Sequence, residues 1–172
     1  MKSLKMDLKE LKWVQRDSRN DELVSGKEVL GKLQWTSKLR SLVTAESADG
    51  KWTFKRGGFL RPKITIREYG KDNDLYTANI GWNGEATLWL PDQGRFRWVP
   101  NIWHTKWTLM INDEKEIMSI QLDGFSKVSG NVSIEDTSVS IQTLSLLALL
   151  GWYLIIKVLS DDASSIGTAI PP

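Results

Sequence analysis

Apolar and polar residues alternate along most of this chain. Residues 63–69 set Ile64 and Ile66 on one face and Lys63, Thr65 and Arg67 on the other. Residues 95–99 oppose Phe96 and Trp98 to Arg95 and Arg97. A period of two is the mark of a half-buried strand. The pattern predicts strands over 11–16, 22–25, 28–35, 41–46, 51–56, 63–69, 75–82, 85–90, 95–99, 107–111, 116–122 and 128–135. Roughly eleven or twelve short strands at this spacing suggest a sandwich or a barrel. Asp49-Gly50 and Asn83-Gly84 read as hairpin turns with positive φ at both central positions. Gly26 and Gly31 read as a turn and a bulge, 57–62 as a loop, and 91–94 and 112–115 as further turns.

The alternation stops near the C-terminus. Residues 137–156 carry no charge, and 144–156 are apolar on every face of a helix. Asp136 or Ser138 is the expected N-cap, and 138–160 is the expected helix. The stretch is long enough to cross a bilayer, but its first third is polar, with Ser138, Ser140, Gln142, Thr143 and Ser145. The strongly apolar part has the length of a buried core helix. A helix apolar all round must be surrounded, and no second long helix is predicted. The expected fold is therefore mainly β: a closed, roughly 12-stranded antiparallel barrel enclosing one C-terminal hydrophobic helix. The alternative is a C-terminal tail anchor carrying a cytoplasmic β domain.

A chain of 172 residues fits one domain with a sizeable core. It divides into a lead-in (1–10), the strands, the helix and a polar tail (161–172). Nine tryptophans are spread along the chain. Their even spacing predicts core filling, with a carbohydrate-binding platform as the lesser alternative. The N-terminus is charged and shows no apolar signal stretch, so the expected location is the cytoplasm, peripheral to a membrane at most.

Chemistry is sparse. The chain has no cysteine and one histidine, His104, set between tryptophans. A packed or loop role suits that histidine better than catalysis. Nucleophile–base pairs and histidine-based metal sites are correspondingly scarce. Asp72-Asn73-Asp74 lacks the glycine and distal glutamate of a calcium loop. Gly57-Gly58 lacks the Lys-Ser/Thr of a phosphate loop. The expectation is a protein that is not an enzyme, with no catalytic residues, no metal site and no cofactor.

The net charge is +2, but the distribution is uneven. Residues 51–67 hold six basic residues and no acid: Lys51, Lys55, Arg56, Arg61, Lys63 and Arg67. A hairpin symmetric about 57–62 sets Lys55 opposite Lys63 and Lys51 opposite Arg67. Like charges directly opposite repel, and an anion between them relieves the repulsion. These six are the candidate anionic-lipid site, with Phe59 placed to dip into the lipid interface. Plain solubilising lysines are the competing reading. Nucleic acid ranks below both, because Trp52 and Phe54 lie on the other strand face and cannot stack bases beside phosphate contacts.

Four segments resemble the tubby C-terminal-like superfamily, which includes phospholipid scramblases, the LURP-one-related proteins and tubby. They are Ala-Asp-Gly-Lys-Trp-Thr-Phe-Lys-Arg at 48–56, Leu-Trp-Leu-Pro-Asp-Gln-Gly-Arg-Phe-Arg-Trp at 88–98, Trp-Thr-Leu at 107–109, and Leu-Leu-Ala-Leu-Leu-Gly-Trp-Tyr-Leu at 146–154. The resemblance covers about residues 42–159. It implies about twelve strands around a hydrophobic helix and, by analogy with tubby, phosphoinositide binding through basic surface residues. The cysteine-rich segment of scramblases is missing, so scrambling is not implied.

Overall fold

The computed structural model describes residues 1–2, 10–36, 42–123 and 128–168, with side chains as far as Asp161. Most of the lead-in and residues 169–172 of the tail lie outside this description.

Twelve strands form in chain order. They are β1 (Leu11–Gln15), β2 (Asn20–Ser25), β3 (Glu28–Trp35), β4 (Leu42–Ser47), β5 (Gly50–Gly57) and β6 (Lys63–Glu68), followed by β7 (Tyr76–Ile80), β8 (Ala86–Leu90), β9 (Gly94–Pro100), β10 (Lys106–Ile111), β11 (Lys115–Asp123) and β12 (Ser129–Ile134). Each pairs antiparallel with its sequence neighbours, and β1 pairs with β12 to close the barrel. Closure leaves no unpaired sheet edge. Inward positions carry large apolar side chains, as in β5, where Trp52 and Phe54 are buried between outward Lys51, Thr53 and Lys55.

The helix α1 (Ile141–Thr168) enters this barrel after β12. Ile141–Asp161 is long and apolar enough to cross a membrane, yet 78% of its 18-residue apolar window is buried inside the protein. Wall aromatics hold it. Trp13 stacks on Trp152 with ring centroids 5.4 Å apart, and Trp35 stacks on Tyr153 at 5.3 Å. The Trp98 indole N–H donates to the Leu147 carbonyl at 3.0 Å. Burial pushes the Tyr153 phenol pKa up, with a hydrogen bond from the Arg56 backbone opposing it.

The helix begins three residues later than the pattern predicts and continues through much of the segment read as tail. Its cap is Ser140, not Asp136 or Ser138: the Thr143 amide donates to Ser140 Oγ at 3.2 Å. Asp136 instead accepts from the Ser138 amide at 2.7 Å, which turns the chain ahead of the cap. Barrel turns supply partners for the polar first third. Thr143 donates to Gln93 at 2.9 Å, and Ser145 donates to Asp49 at 2.8 Å.

Two turns differ from expectation. Ser47 pairs with Gly50, so the β4–β5 turn is Ala48-Asp49, and neither Asp49 nor Gly50 has positive φ. The Asp49 amide donates to Ser47 Oγ at 3.1 Å, so a side chain serves this turn. The β7–β8 connection is a longer loop, with positive φ at Gly84 but not at Asn83. The bulge predicted at Gly31 falls beside it, where β3 carries one extra residue against Leu23-Val24 of β2.

The up-and-down order sorts the connections onto two rims. The β4–β5, β6–β7, β8–β9 and β10–β11 turns lie at the rim where α1 enters. The β1–β2, β5–β6, β7–β8 and β9–β10 loops lie at the other. There the last described turns of α1 arrive, with Val158 beside Gly84 and Asp161 paired with Arg56.

Candidate functional site

The β5–β6 hairpin carries the candidate cations, in a register different from the symmetric one. Gly57 pairs with Lys63, Lys55 with Thr65 and Thr53 with Arg67. Lys51 falls beside Tyr69, whose amide donates to the Lys51 carbonyl at 3.0 Å. No cation is directly opposite another. The reason is that β5 extends through Gly57, so the loop is Gly58-Phe59-Leu60-Arg61-Pro62 and every partner moves by two residues. Gly58 has φ of 83°, and a β-carbon there would collide with the Arg61 carbonyl oxygen. Only glycine lets this loop fold back.

Across β5–β6 the outer face is thus a checkerboard in which each cation faces a neutral residue. Lys55 lies diagonal to both Lys63 and Arg67, at about 7–8 Å by sheet geometry. That spacing removes the direct repulsion expected from the symmetric register while keeping the cations within reach of one phosphate-sized anion.

The six divide by their partners. Lys51 lies 3.4 Å from Glu46 and stands over the Tyr69 ring. Arg67 donates to Asp74 at 2.8 Å. Arg56 lies on the inward-facing side of β5 and pairs with Asp161 of α1, so it ties the rim to the helix. Lys55, Arg61 and Lys63 are exposed and have no carboxylate partner among the described residues. All three sit toward the rim at which α1 ends. Elsewhere on the barrel wall the outward arginines are neutralised: Arg97 bonds Glu85 at 3.0 Å and Asp113 at 3.2 Å.

The tryptophans also divide. Trp13, Trp35, Trp52, Trp98, Trp107 and Trp152 fill the core, but Trp82, Trp89 and Trp103 are exposed. Core filling therefore fails for three of the nine. Trp82 and Trp103 occupy loops on the same rim as the unpaired cations, together with exposed Phe59, Leu60 and Ile102. Of these, sequence reasoning singled out Phe59 alone. The signal it missed is local: Gly81-Trp82-Asn83-Gly84 places a tryptophan inside a turn, where no strand face can bury it.

His104 lies in the β9–β10 loop with φ of 51°. Its Nε2 is 3.1 Å from the Asn83 carbonyl, which can only accept, so Nε2 carries a proton. The ring stacks on Trp107 at 5.7 Å. Among the described residues no group of three histidine, aspartate or glutamate side chains is placed to hold a metal ion. At the opposite rim an open polar depression includes Lys51, Glu68, Gln93 and Thr143. Thr143 and Gln93 there already bond each other.

Fold and site together define a closed twelve-stranded antiparallel barrel with an apolar helix in its lumen and a basic hairpin on one rim. No family model, curated protein or solved structure matches this chain.

Proposed function

We propose that this protein is a non-enzymatic binding module that associates peripherally with anionic phospholipid head groups through the β5–β6 hairpin. The carrying observation is the trio Lys55, Arg61 and Lys63, exposed on one hairpin without a carboxylate partner among the described residues. Uncompensated cations close together favour an anionic surface, and the attraction falls with salt. Lys51 and Arg67 contribute less, because Glu46 and Asp74 already offset their charge. The tubby-like resemblance belongs to the same proposal, as does a cytoplasmic location. The tubby-like reading rests on the four sequence segments, and fold does not by itself imply function.

Co-sedimentation with phosphatidylcholine vesicles containing phosphatidylserine tests the proposal. The wild type pellets with the vesicles at low salt and less so at physiological salt. The Lys55→Ala/Arg61→Ala/Lys63→Ala variant binds roughly tenfold more weakly or worse. Equal binding by both proteins refutes the hairpin as the contact. Binding to nucleic acid of comparable strength and salt dependence would assign the same cations to a different polyanion.

A further inference from the structure

Three loop tips on one rim display apolar side chains to solvent. Phe59 (99% exposed) and Leu60 lie on β5–β6, fully exposed Trp82 on β7–β8, and Ile102 (88%) and Trp103 (78%) on β9–β10. Strands β5 to β10 pair in unbroken succession, so these tips occupy one contiguous arc. Sheet geometry sets neighbouring tips about 10 Å apart, two strand spacings. Scattered exposed apolar residues need no explanation, but a contiguous set marks an interaction surface.

The display is built rather than loose. In β9–β10 the side chain of Asn101 bonds the backbone and Thr105 within the loop. Asn101 Oδ1 accepts from the Thr105 amide at 2.8 Å and the Lys106 amide at 3.1 Å. Asn101 Nδ2 donates to Thr105 Oγ1 at 2.9 Å. His104 bridges to the next tip through the Asn83 carbonyl, and Asn83 Oδ1 accepts from the Glu85 amide at 3.1 Å. With the polar groups occupied inside each loop, Ile102, Trp103 and Trp82 are left pointing out.

We infer that this rim inserts into the interfacial layer of an anionic bilayer, so that the barrel docks end-on with the far end of α1 toward the lipid. The inference rests on the proposed lipid reading and adds its contact surface and orientation. Charge complementarity selects the occupant. Loops 58–62 and 101–105 contain no carboxylate, Glu85 in loop 81–85 is bonded to Arg97, and Asp161 at the helix end is paired with Arg56. Lys55 and Lys63 flank the first tip. Tryptophan and phenylalanine suit the boundary between head groups and acyl chains, where a ring has an apolar body to bury. Two exposed indoles on the rim that also carries Lys55, Arg61 and Lys63 form the pattern of a peripheral anchor.

The chain has no cysteine, so one introduced thiol labels uniquely. An environment-sensitive NBD fluorophore on Ile102→Cys reports the rim, and one on Asp72→Cys reports the opposite rim. The vesicles are those of the co-sedimentation assay. The label at 102 brightens, shifts to the blue and is quenched by nitroxide-bearing acyl chains, while the label at 72 does none of these. Trp82→Ala/Trp103→Ala weakens vesicle partition by about tenfold or more, with an unchanged circular dichroism spectrum.

An unshifted label at 102 on protein that still pellets overturns insertion and leaves the cation reading standing. A shifted label in the Lys55→Ala/Arg61→Ala/Lys63→Ala variant, bound as tightly as wild type, removes the cation reading and keeps insertion. A shift that grows with protein concentration in the absence of vesicles assigns the rim to contact between copies of the chain and overturns the inference. Failure of the wild type to pellet overturns both.

Discussion

Asp136 shows how one side chain registers in stability. Its carboxyl is held down from 3.8 to about 2, first by the hydrogen bond from Lys115 and then by the Ser138 amide. A folded-state pKa below the unfolded one means the ionised form is favoured by folding. The contribution is complete above the unfolded value and is lost as pH falls through the folded one. The melting temperature of the wild type therefore declines between about pH 5 and about pH 2 more steeply than that of Asp136→Asn. Thermal circular dichroism across that range checks it, and parallel curves would remove Asp136 from the acid limb. Sequence placed this residue beside the helix start and offered it, or Ser138, the capping role that Ser140 holds. The choice depends on where the chain turns, which Asp136 itself sets by bonding the Ser138 amide.

At the scale of elements, the helix is fitted to its barrel at a few tight points. Gly151 is one of them. A β-carbon there would lie 2.5 Å from Cζ2 of Trp98 and 2.7 Å from its Cε2. The missing side chain lets the indole lie against the helix backbone and donate to the Leu147 carbonyl. Gly151→Ala improves intrinsic helix propensity, yet it forces Trp98 out of that seat. Overpacking of this kind costs about 1–3 kcal/mol, against a propensity gain of about 1 kcal/mol. Urea denaturation is expected to show net destabilisation, and a stabilised variant would mean that Trp98 can shift freely. The strands were legible from alternation because each has one wet face and one dry face. The hairpin register was not: it turns on whether Gly57 ends β5 or begins the loop, and alternation does not decide a shift of two residues.

At the scale of the whole molecule, helix and barrel are one cooperative core. Leu147 is fully buried in the helix, and Trp107, Leu109, Ile117 and Ile120 line the same interior from the wall. Leu147→Asp places an unpaired charge there, a loss of more than about 4 kcal/mol. The β circular dichroism signal and the sharp melt are expected to disappear together. A soluble β domain that survives this substitution would restore the tail-anchor reading, because the barrel would then stand without its helix.

Much was fixed locally. Alternation with period two, turn residues and an all-round apolar segment determined short strands, their approximate ends and a helix that must be enclosed. Those properties depend on near neighbours in the chain, so sequence carries them directly. Only the closed structure decided which cations keep a partner and which tryptophans stay wet. Lys51 and Arg67 look the same as Lys55 and Lys63 in sequence, but Glu46 and Asp74 meet only the first two. Trp103 looks like the six core tryptophans, but a loop holds it outside the wall. The physical reason is that neutralisation depends on strand register and loop path, which set Glu46 across from Lys51 on β4–β5 and bring Asp74 of the β6–β7 loop to Arg67, and alternation fixes neither.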